Sequence, residues 1–345
     1  MHVSAFDYEL PPELIAQEPL PQRDASRMLI VDRAKQSWTD SHFRELPQQL
    51  QAGDLLVINN TRVFPARLIG RREPSGGRVE ILLVRQLEPD LWEALIKPGR
   101  RLREGDEVSF DQAQLTAQII DQPGNELRQL RLQSQKSLNS VLEEFGEMPL
   151  PPYISRPAGS STSDRERYQT LFAKARGAIA APTAGLHFTP DVVDQIAARG
   201  ARLAEITLHV GYGTFEPVRV ADSEQHQVSA ERYEIDNAAA QRINETKAHR
   251  GRVIAVGTTT TRALESAVND QGLLDSIQGS ASLTIVPGCK FRVVDALLTN
   301  FHLPRSSLLM LVSAFAGHEL ILDAYRHAVA SGYRFYSYGD CMLVI

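Results

Sequence analysis

Leu55, Leu56, Val57 and Ile58 form an unbroken apolar run between Asp54 and Asn59-Asn60-Thr61, a pattern that predicts a short buried strand closed by a turn. From about Arg71 to Met148 the texture changes. Arg78–Gln86, Leu91–Lys97, Glu107–Phe110, Leu115–Ile120 and Leu127–Gln133 are strand-length segments in which apolar and polar positions partly alternate. Turn signals at Ser75-Gly76-Gly77, Pro98-Gly99, Glu104-Gly105-Asp106 and Gln122-Pro123-Gly124-Asn125 separate them. This block predicts a small all-β barrel or sandwich inserted into another domain. After the stiff exit Pro149-Leu150-Pro151-Pro152, helical and strand patterns alternate. Thr189-Pro190 ahead of Asp191–Arg199 and Gly200 supplies an N-cap, a proline at the first helical position and a terminating glycine, which together predict a helix. Ala238–His249, Arg262–Val268 and Glu319–Ala330 also read as helices, and Ala204–Val210, Arg252–Val256, Val293–Leu298 and Tyr333–Tyr338 as strands. The expectation is an α/β fold over residues 1–70 and 149–345, interrupted by an all-β domain over 71–148.

The 345 residues, 43% of them hydrophobic, suffice for a substantial core. The longest strongly apolar run, Leu308–Ala316, is well short of the roughly 20 residues that span a bilayer. Met1–Leu10 lacks the basic start and apolar stretch of a secretory signal, so a cytoplasmic protein without a membrane partner is expected. Cys289 and Cys341 have no CxxC spacing and read as reduced, buried thiols. A net charge of −5 argues against broad nucleic-acid binding, so any RNA contact would be local. Arg62, Arg67, Arg71 and Arg72 form one basic stretch, and Arg100, Arg101 and Arg103 another. Both are equally readable as solvated faces, balanced by Glu104, Asp106 and Glu107.

Four strand-to-loop junctions concentrate Gly, Thr, Asn and His, and in α/β proteins ligands bind at the carboxyl ends of strands. Ala180–Phe188 carries small residues, Thr183 and Gly185 among them, and His187, which is either an acid–base group or a structural hydrogen-bonding one. Leu208–Phe215 places His209 on the face opposite Leu208 and Val210, ahead of Gly211-Tyr212-Gly213. Arg252–Arg262 ends a strand at Gly257 and continues through Thr258 and Thr259 into a helix. That geometry suits a carboxylate or phosphate, and it equally describes a plain capped helix. Asp295–Leu303 puts Asn300 and His302 on a loop after a strand, and Tyr336–Asp340 adds a turn acid beside aromatic rings. No histidine pair has the helical spacing of a zinc site, and neither a Walker loop nor a GxSxG elbow is present, so no metal is expected. On the residues alone, an α/β enzyme acting on a small phosphorylated sugar and a non-catalytic RNA-binding protein both remain open.

Longer blocks narrow the field. Asn59–Arg67 (NNTRVFPAR), Ala181–Phe188 (APTAGLHF), Leu208–Phe215 (LHVGYGTF), Val256–Thr259 (VGTT) and Thr299–Pro304 (TNFHLP) resemble, in order, those of the S-adenosylmethionine:tRNA ribosyltransferase-isomerases. The opening Phe6–Pro11 and the closing Tyr333–Asp340 match as well, so the resemblance spans the chain. It implies a large α/β barrel-like domain carrying an inserted small β-barrel. It also implies transfer and isomerisation of the ribosyl part of S-adenosylmethionine onto 7-aminomethyl-7-deazaguanine at the tRNA wobble position, with epoxyqueuosine-tRNA, adenine and methionine as products. S-adenosylmethionine is then a consumed co-substrate, no cofactor is permanently bound, and a monomer is expected. On this basis His187, His209 and His302 are expected proton carriers, with Asp340 as an orienting carboxylate. Thr183, Gly185, Gly211, Tyr212, Gly213, Phe215, Gly257, Thr258 and Thr259 are expected around S-adenosylmethionine, with Tyr212 or Phe215 stacking on adenine. Arg62, Arg100, Arg101 and Arg103 are expected at tRNA phosphates. The chain departs from the family pattern after His226, where Gln227-Val228-Ser229 replaces a segment that commonly holds a second histidine, and at Arg176-Gly177, where Pro-Gly is common.

Overall fold

The computed structural model describes residues 1–99, 102–121, 126–157, 159–215 and 217–345, apart from the side chains of Thr214 and Phe215. Its strands, in chain order, are β1 (Arg27–Asp32), β2 (Ser37–His42), β3 (Leu55–Asn59), β4 (Thr61–Val63), β5 (Arg67–Arg72), β6 (Arg78–Gln86), β7 (Leu91–Lys97), β8 (Glu107–Phe110), β9 (Leu115–Ile119), β10 (Arg128–Ser134), β11 (Ala175–Ala178), β12 (Arg202–Leu208), β13 (Glu231–Ile235), β14 (Val253–Val256), β15 (Ile277–Ala281), β16 (Ala296–Asn300) and β17 (Cys341–Val344). The α-helices are α1 (Leu138–Phe145), α2 (Thr162–Arg167), α3 (Pro190–Ala198), α4 (Asn237–Ala248), α5 (Thr258–Ala267), α6 (Ser307–Ala316) and α7 (His318–Ala330). The chain forms two compact units, one of residues 1–62, 152–155 and 167–345, the other of residues 63–151 and 156–166.

The larger unit is built on a nine-stranded sheet in the order β15-β13-β12-β3-β14-β16-β17-β1-β2. Its centre, β12-β3-β14-β16, is parallel. Every residue of β3, β14 and β16 is buried. That burial explains the unbroken apolar run at Leu55–Ile58, because a central parallel strand is covered on both faces. One face packs Leu56, Ile58, Ile254, Val256 and Leu298 against Phe43, Leu46, Phe188, Val192 and Ile196. Each large apolar side chain buried there stabilises the fold by about 1.5–3 kcal/mol. Helix α3 contributes Val192 and Ile196 to that core. Its N-cap Thr189 accepts from the Val192 N–H, and Pro190 holds the first turn. The apolar run near Leu308 is α6, a core helix with Leu309, Met310, Leu311 and Val312 buried. Among the described residues no single helix is long and apolar enough to cross a membrane. Cys341 is buried in β17, whereas Cys289 is only half-buried.

Three expected elements differ in outcome. Tyr333–Tyr338 is a turn, not a strand: Tyr333 and Phe335 are fully buried anchors, and Tyr336 adopts a left-handed φ of 73°. The aromatic alternation there comes from packing on Phe301 and Tyr325, not from a ladder. Helix α5 begins at Thr258, four residues before the expected start at Arg262, because Gly257 and not a threonine is its N-cap. The strand expected over Val293–Leu298 runs over Ala296–Asn300, so Asn300 ends a strand where a loop was expected.

In the smaller unit β10-β7-β6-β5-β8-β9 close into an antiparallel barrel. Alternate residues of β6 and β7, Val79, Ile81, Leu83, Trp92, Ala94 and Ile96, are buried, the period-2 signature that marked these segments. The unit begins at Val63, so the expected boundary at 70/71 would cut β5, whose Arg67–Arg71 pairs with Arg78–Leu82 of β6. The buried Arg128 guanidinium donates to Asp121 Oδ1 at 2.8 Å and to the Asp121, Gly99 and Leu102 carbonyls.

A second buried cation sits in the larger unit. Arg262 of α5 donates to Glu231 Oε2 of β13 at 2.7 Å and to the carbonyls of Ala281, Ser229 and Leu283, with both charged side chains at most 7% exposed. Removing one partner of such a pair leaves a buried charge uncompensated. Arg262→Met is therefore expected to destabilise this unit by about 3–5 kcal/mol, read as a lower urea midpoint for its unfolding.

Candidate active site

Because β3, β12, β14 and β16 run parallel, their carboxyl ends emerge on one edge of the sheet. Val256 pairs with Leu298, so the chain leaves β14 at Gly257 beside the end of β16. Gly257 has φ 95°, a conformation that favours glycine, and its N–H donates to the Leu298 carbonyl at 2.8 Å. The chain then turns directly into α5 with no side-chain cap. Thr260 and Thr261 hydroxyls bond back to the carbonyls of Val256 and Gly257 at 2.8 and 3.1 Å, while Thr258 and Thr259 line a cleft. The unbonded amides of the first helical turn and the positive end of the helix dipole give that wall a preference for an anion.

The cleft has about 570 Å³ of free space, its open mouth included. Its other walls are Ala180–Ala184 with Val210, the β16 end from Thr299 to His302, and the aromatic pair Tyr153 and Tyr336 with Ser337. No Asp, Glu, Lys or Arg lines it among the described residues. The Tyr153 and Tyr336 rings meet edge to face at 3.8 Å, and Tyr153 Oη bonds Ser337 Oγ. Tyr336 is held in its left-handed conformation from both sides: its N–H donates to the Phe301 carbonyl at 3.2 Å, and its carbonyl accepts from Gly339 N–H at 3.0 Å. Such conformations in non-glycine residues cluster at functional sites.

Two histidines stand at this edge. His302 lines the cleft, and its Nε2 lies 2.9 Å from Thr299 Oγ1. Its backbone is clamped, the N–H donating to Tyr325 Oη at 3.1 Å and the carbonyl accepting from Tyr8 Oη at 2.5 Å. His187 lies behind the wall, with Nδ1 2.7 Å from Ser26 Oγ and Nε2 3.1 Å from Asn300 Nδ2. Since an amide nitrogen can only donate, Nε2 accepts and Nδ1 carries the proton, passed on through Ser26 Oγ, which donates to the Arg23 carbonyl at 3.0 Å. Burial holds both imidazoles down to about 3, with Arg23 and Arg334 adding to the effect at His187. Both rings are therefore neutral near pH 7.

Of the residues singled out in the sequence, Thr183, Gly257, Thr258, Thr259, Asn300 and His302 line the cleft. Others lie elsewhere. Val210 reaches the cleft, but His209 faces the other way: its Nδ1 is 2.9 Å from Thr61 Oγ1, and a Cβ on Gly177 would fall 2.6 Å from its ring. Burial lowers the His209 pKa. Gly185 is packed against Thr170 and not against the cleft. Gly211 donates its N–H to Glu231 Oε1 at 2.9 Å, and Gly213 borders a separate small recess with Ser229, Glu231 and Arg262. Tyr212 lines neither, and the Phe215 side chain lies outside the described residues. Asp340 accepts the backbone N–H groups of Arg27 and Arg334 at 2.9 and 2.8 Å, tying the 334–340 turn to β1, and burial raises its pKa. Arg62 and Arg103 are exposed, and Arg100 and Arg101 lie outside the described residues. The sequence reading passed over Tyr153, which belongs to a four-residue segment far from the other walls in the chain.

Residues 3–344 match the family described as "Queuosine biosynthesis protein". The chain is 48% identical, over all of its length and 99% of the relative's, to S-adenosylmethionine:tRNA ribosyltransferase-isomerase of Natranaerobius thermophilus. It is also 48% identical to the protein of that name from Symbiobacterium thermophilum, with both chains covered completely. A crystal structure of S-adenosylmethionine tRNA ribosyltransferase from Thermotoga maritima, 37% identical, superposes with a TM-score of 0.56 over 99% of this chain and 100% of the other.

The low imidazole pKa values have a direct consequence. In the unfolded chain these rings bind protons below 6.5, and in the folded chain only near 3, so the stability that their burial linkage leaves intact above 6.5 is lost as the pH falls. Ring carbon shifts of His187 and His302 are expected to stay at their neutral values down to pH 5 by NMR. Folding stability is expected to fall by about 1.4 kcal/mol per pH unit for each ring below that unfolded value.

Proposed function

The chain belongs to the S-adenosylmethionine:tRNA ribosyltransferase-isomerase family of queuosine biosynthesis proteins, and from that premise we propose its substrates and the residues that act on them. The ribosyl part of S-adenosylmethionine passes to the aminomethyl group of 7-aminomethyl-7-deazaguanine at the tRNA wobble position and rearranges to the epoxyqueuosine side chain. Adenine and methionine leave. The reaction consumes S-adenosylmethionine and takes place in the cytoplasm, where its tRNA substrate resides. One chain supplies every wall of the cleft, which supports action as a monomer.

The observation that carries this reading is an uncharged, aromatic-walled cleft with a helix N-terminus on one side and a neutral imidazole on another. A sulfonium is a permanent cation, and tyrosine ring faces attract cations without drawing a proton from them. The first turn of α5, at Thr258 and Thr259, receives the methionine carboxylate. Tyr153 and Tyr336, which line the cleft where Tyr212 does not, are the rings beside the nucleoside. The ribose carbon bonded to sulfur is acidified by the positive charge. His302 is the proton acceptor in the tautomer whose Nε2–H donates to Thr299 Oγ1, which leaves the Nδ1 lone pair without a hydrogen bond to the described residues. The electron pair left on that ribose carbon closes a carbon–carbon bond to the anomeric carbon, whose bond to adenine breaks with its pair on adenine, and adenine takes up a proton. The amine nitrogen forms the new carbon–nitrogen bond, and the carbon–sulfur bond breaks with its pair on methionine sulfur. The balance is the loss of one amine proton, which discharges the sulfonium's charge. Exposed Arg62 and Arg103 are candidates for tRNA phosphates.

Incubation with S-adenosylmethionine and tRNA carrying 7-aminomethyl-7-deazaguanine is expected to release adenine and methionine in equal amounts, and neither without the tRNA. His302→Ala is expected to slow adenine release by about 10²–10⁴. Release at the parental rate in that variant removes His302 from the chemistry, and release without tRNA overturns the proposed acceptor.

A further inference from the structure

Asn300 ends β16 on the face that carries Ala296 and Leu298, and its side chain is 3% exposed. Its Nδ2 is directed at three acceptors, His187 Nε2 at 3.1 Å, the Tyr336 carbonyl at 3.2 Å and the Asp340 carbonyl at 3.4 Å. Exchanging the amide's nitrogen and oxygen would set an oxygen against two carbonyls, so the orientation is determined by its surroundings. The remaining atom, Oδ1, is buried and has no hydrogen-bond partner among the described residues, in a side chain that lines the cleft. Native structures pair nearly all buried acceptors, and the exceptions call for a specific explanation.

The donor that Oδ1 takes can be deduced from its neighbours. No carboxylate lines the cleft, so a cationic nitrogen entering it finds carbonyl and hydroxyl oxygens as its acceptors. The pairing of Val256 with Leu298 sets the first turn of α5 beside Asn300. A carboxylate held on that turn by an α-amino acid brings an ammonium with it, one carbon away. We propose that Asn300 Oδ1 accepts an N–H of the α-ammonium of the methionine half of S-adenosylmethionine. His187 is then a positioning residue: its Nε2 receives Asn300 Nδ2 and turns the carbonyl oxygen toward the substrate, while Ser26 fixes its tautomer. The inference rests on the substrate reading above and goes beyond it by assigning the group that recognises the amino acid end.

Calorimetric titration tests it with three ligands: S-adenosylmethionine, the analogue whose α-amino group is replaced by hydrogen, and the analogue whose adenine amino group is replaced by hydrogen. The parent protein is expected to bind S-adenosylmethionine about 10–100-fold more tightly than the first analogue, the range for a hydrogen bond to a charged donor. Asn300→Ala is expected to bind those two alike. His187→Leu, which leaves Nδ2 without its acceptor, is expected to lower the ratio, and His187→Gln, whose amide oxygen can accept, to retain it. Equal binding of S-adenosylmethionine and the first analogue by the parent protein overturns the proposal without any variant. So does a preference that survives Asn300→Ala, or a loss in that variant confined to discrimination against the second analogue. If the parent protein binds none of the three, the substrate reading fails and takes this inference with it.

Discussion

The parallel pairing of β14 with β16, Val256 against Leu298, is the constraint on which the candidate site depends. It places two strand exits side by side, one turning at Gly257 into a helix and the other continuing through Asn300 to His302. β17 pairs antiparallel with β16, Cys341 opposite Asn300, so it starts at this same edge. The turn preceding β17 thereby contributes Tyr336 and Ser337 to the cleft. Shifting any of these registers by one residue would send the inward side chains to the opposite face and dismantle the cleft. Asp340 belongs to this framework: by accepting the N–H groups of Arg27 and Arg334 it joins the turn to β1.

Electrostatics within the site follow from the absence of formal charge among the described lining residues. Fixed dipoles replace charges there. The helix N-terminus favours an anion, the tyrosine faces favour a cation, and buried imidazoles remain neutral because no adjacent carboxylate offsets the loss of solvation. In the proposed reading, a zwitterionic substrate with a sulfonium would gain complementary partners at each of its charges without neutralising a side chain. The net charge of −5 therefore says little about this edge of the sheet.

Much of the fold was legible because its periodicities are simple. Strands β6, β7 and β8 matched their expected limits, since a barrel with one buried face imposes alternation, and Gly76 and Gly105, at φ 70° and 85°, mark the turns ahead of β6 and β8. Helix α3 carried its own caps. Strands β1, β2, β4, β5, β11, β13, β15 and β17 went unassigned, being short and partly mixed in polarity or defined by pairing with distant segments. The site was only partly legible, for the same reason. Thr258, Thr259 and His302 follow strands directly, so the rule that ligands meet strand ends found them. Alternation correctly opposed His209 to Val210, yet which of the two faced the cleft depends on the neighbouring strands. Tyr153 and the amide orientation of Asn300 arise from contacts across long stretches of chain, which no local pattern encodes.

A crystal structure with bound S-adenosylmethionine tests the central claim most directly. The account predicts ligand density in the uncharged cleft, with its carboxylate on the Thr258 and Thr259 amides and its nucleoside against Tyr153 and Tyr336. Density in the recess bordered by Gly213 and Arg262, or beside His209, would contradict it.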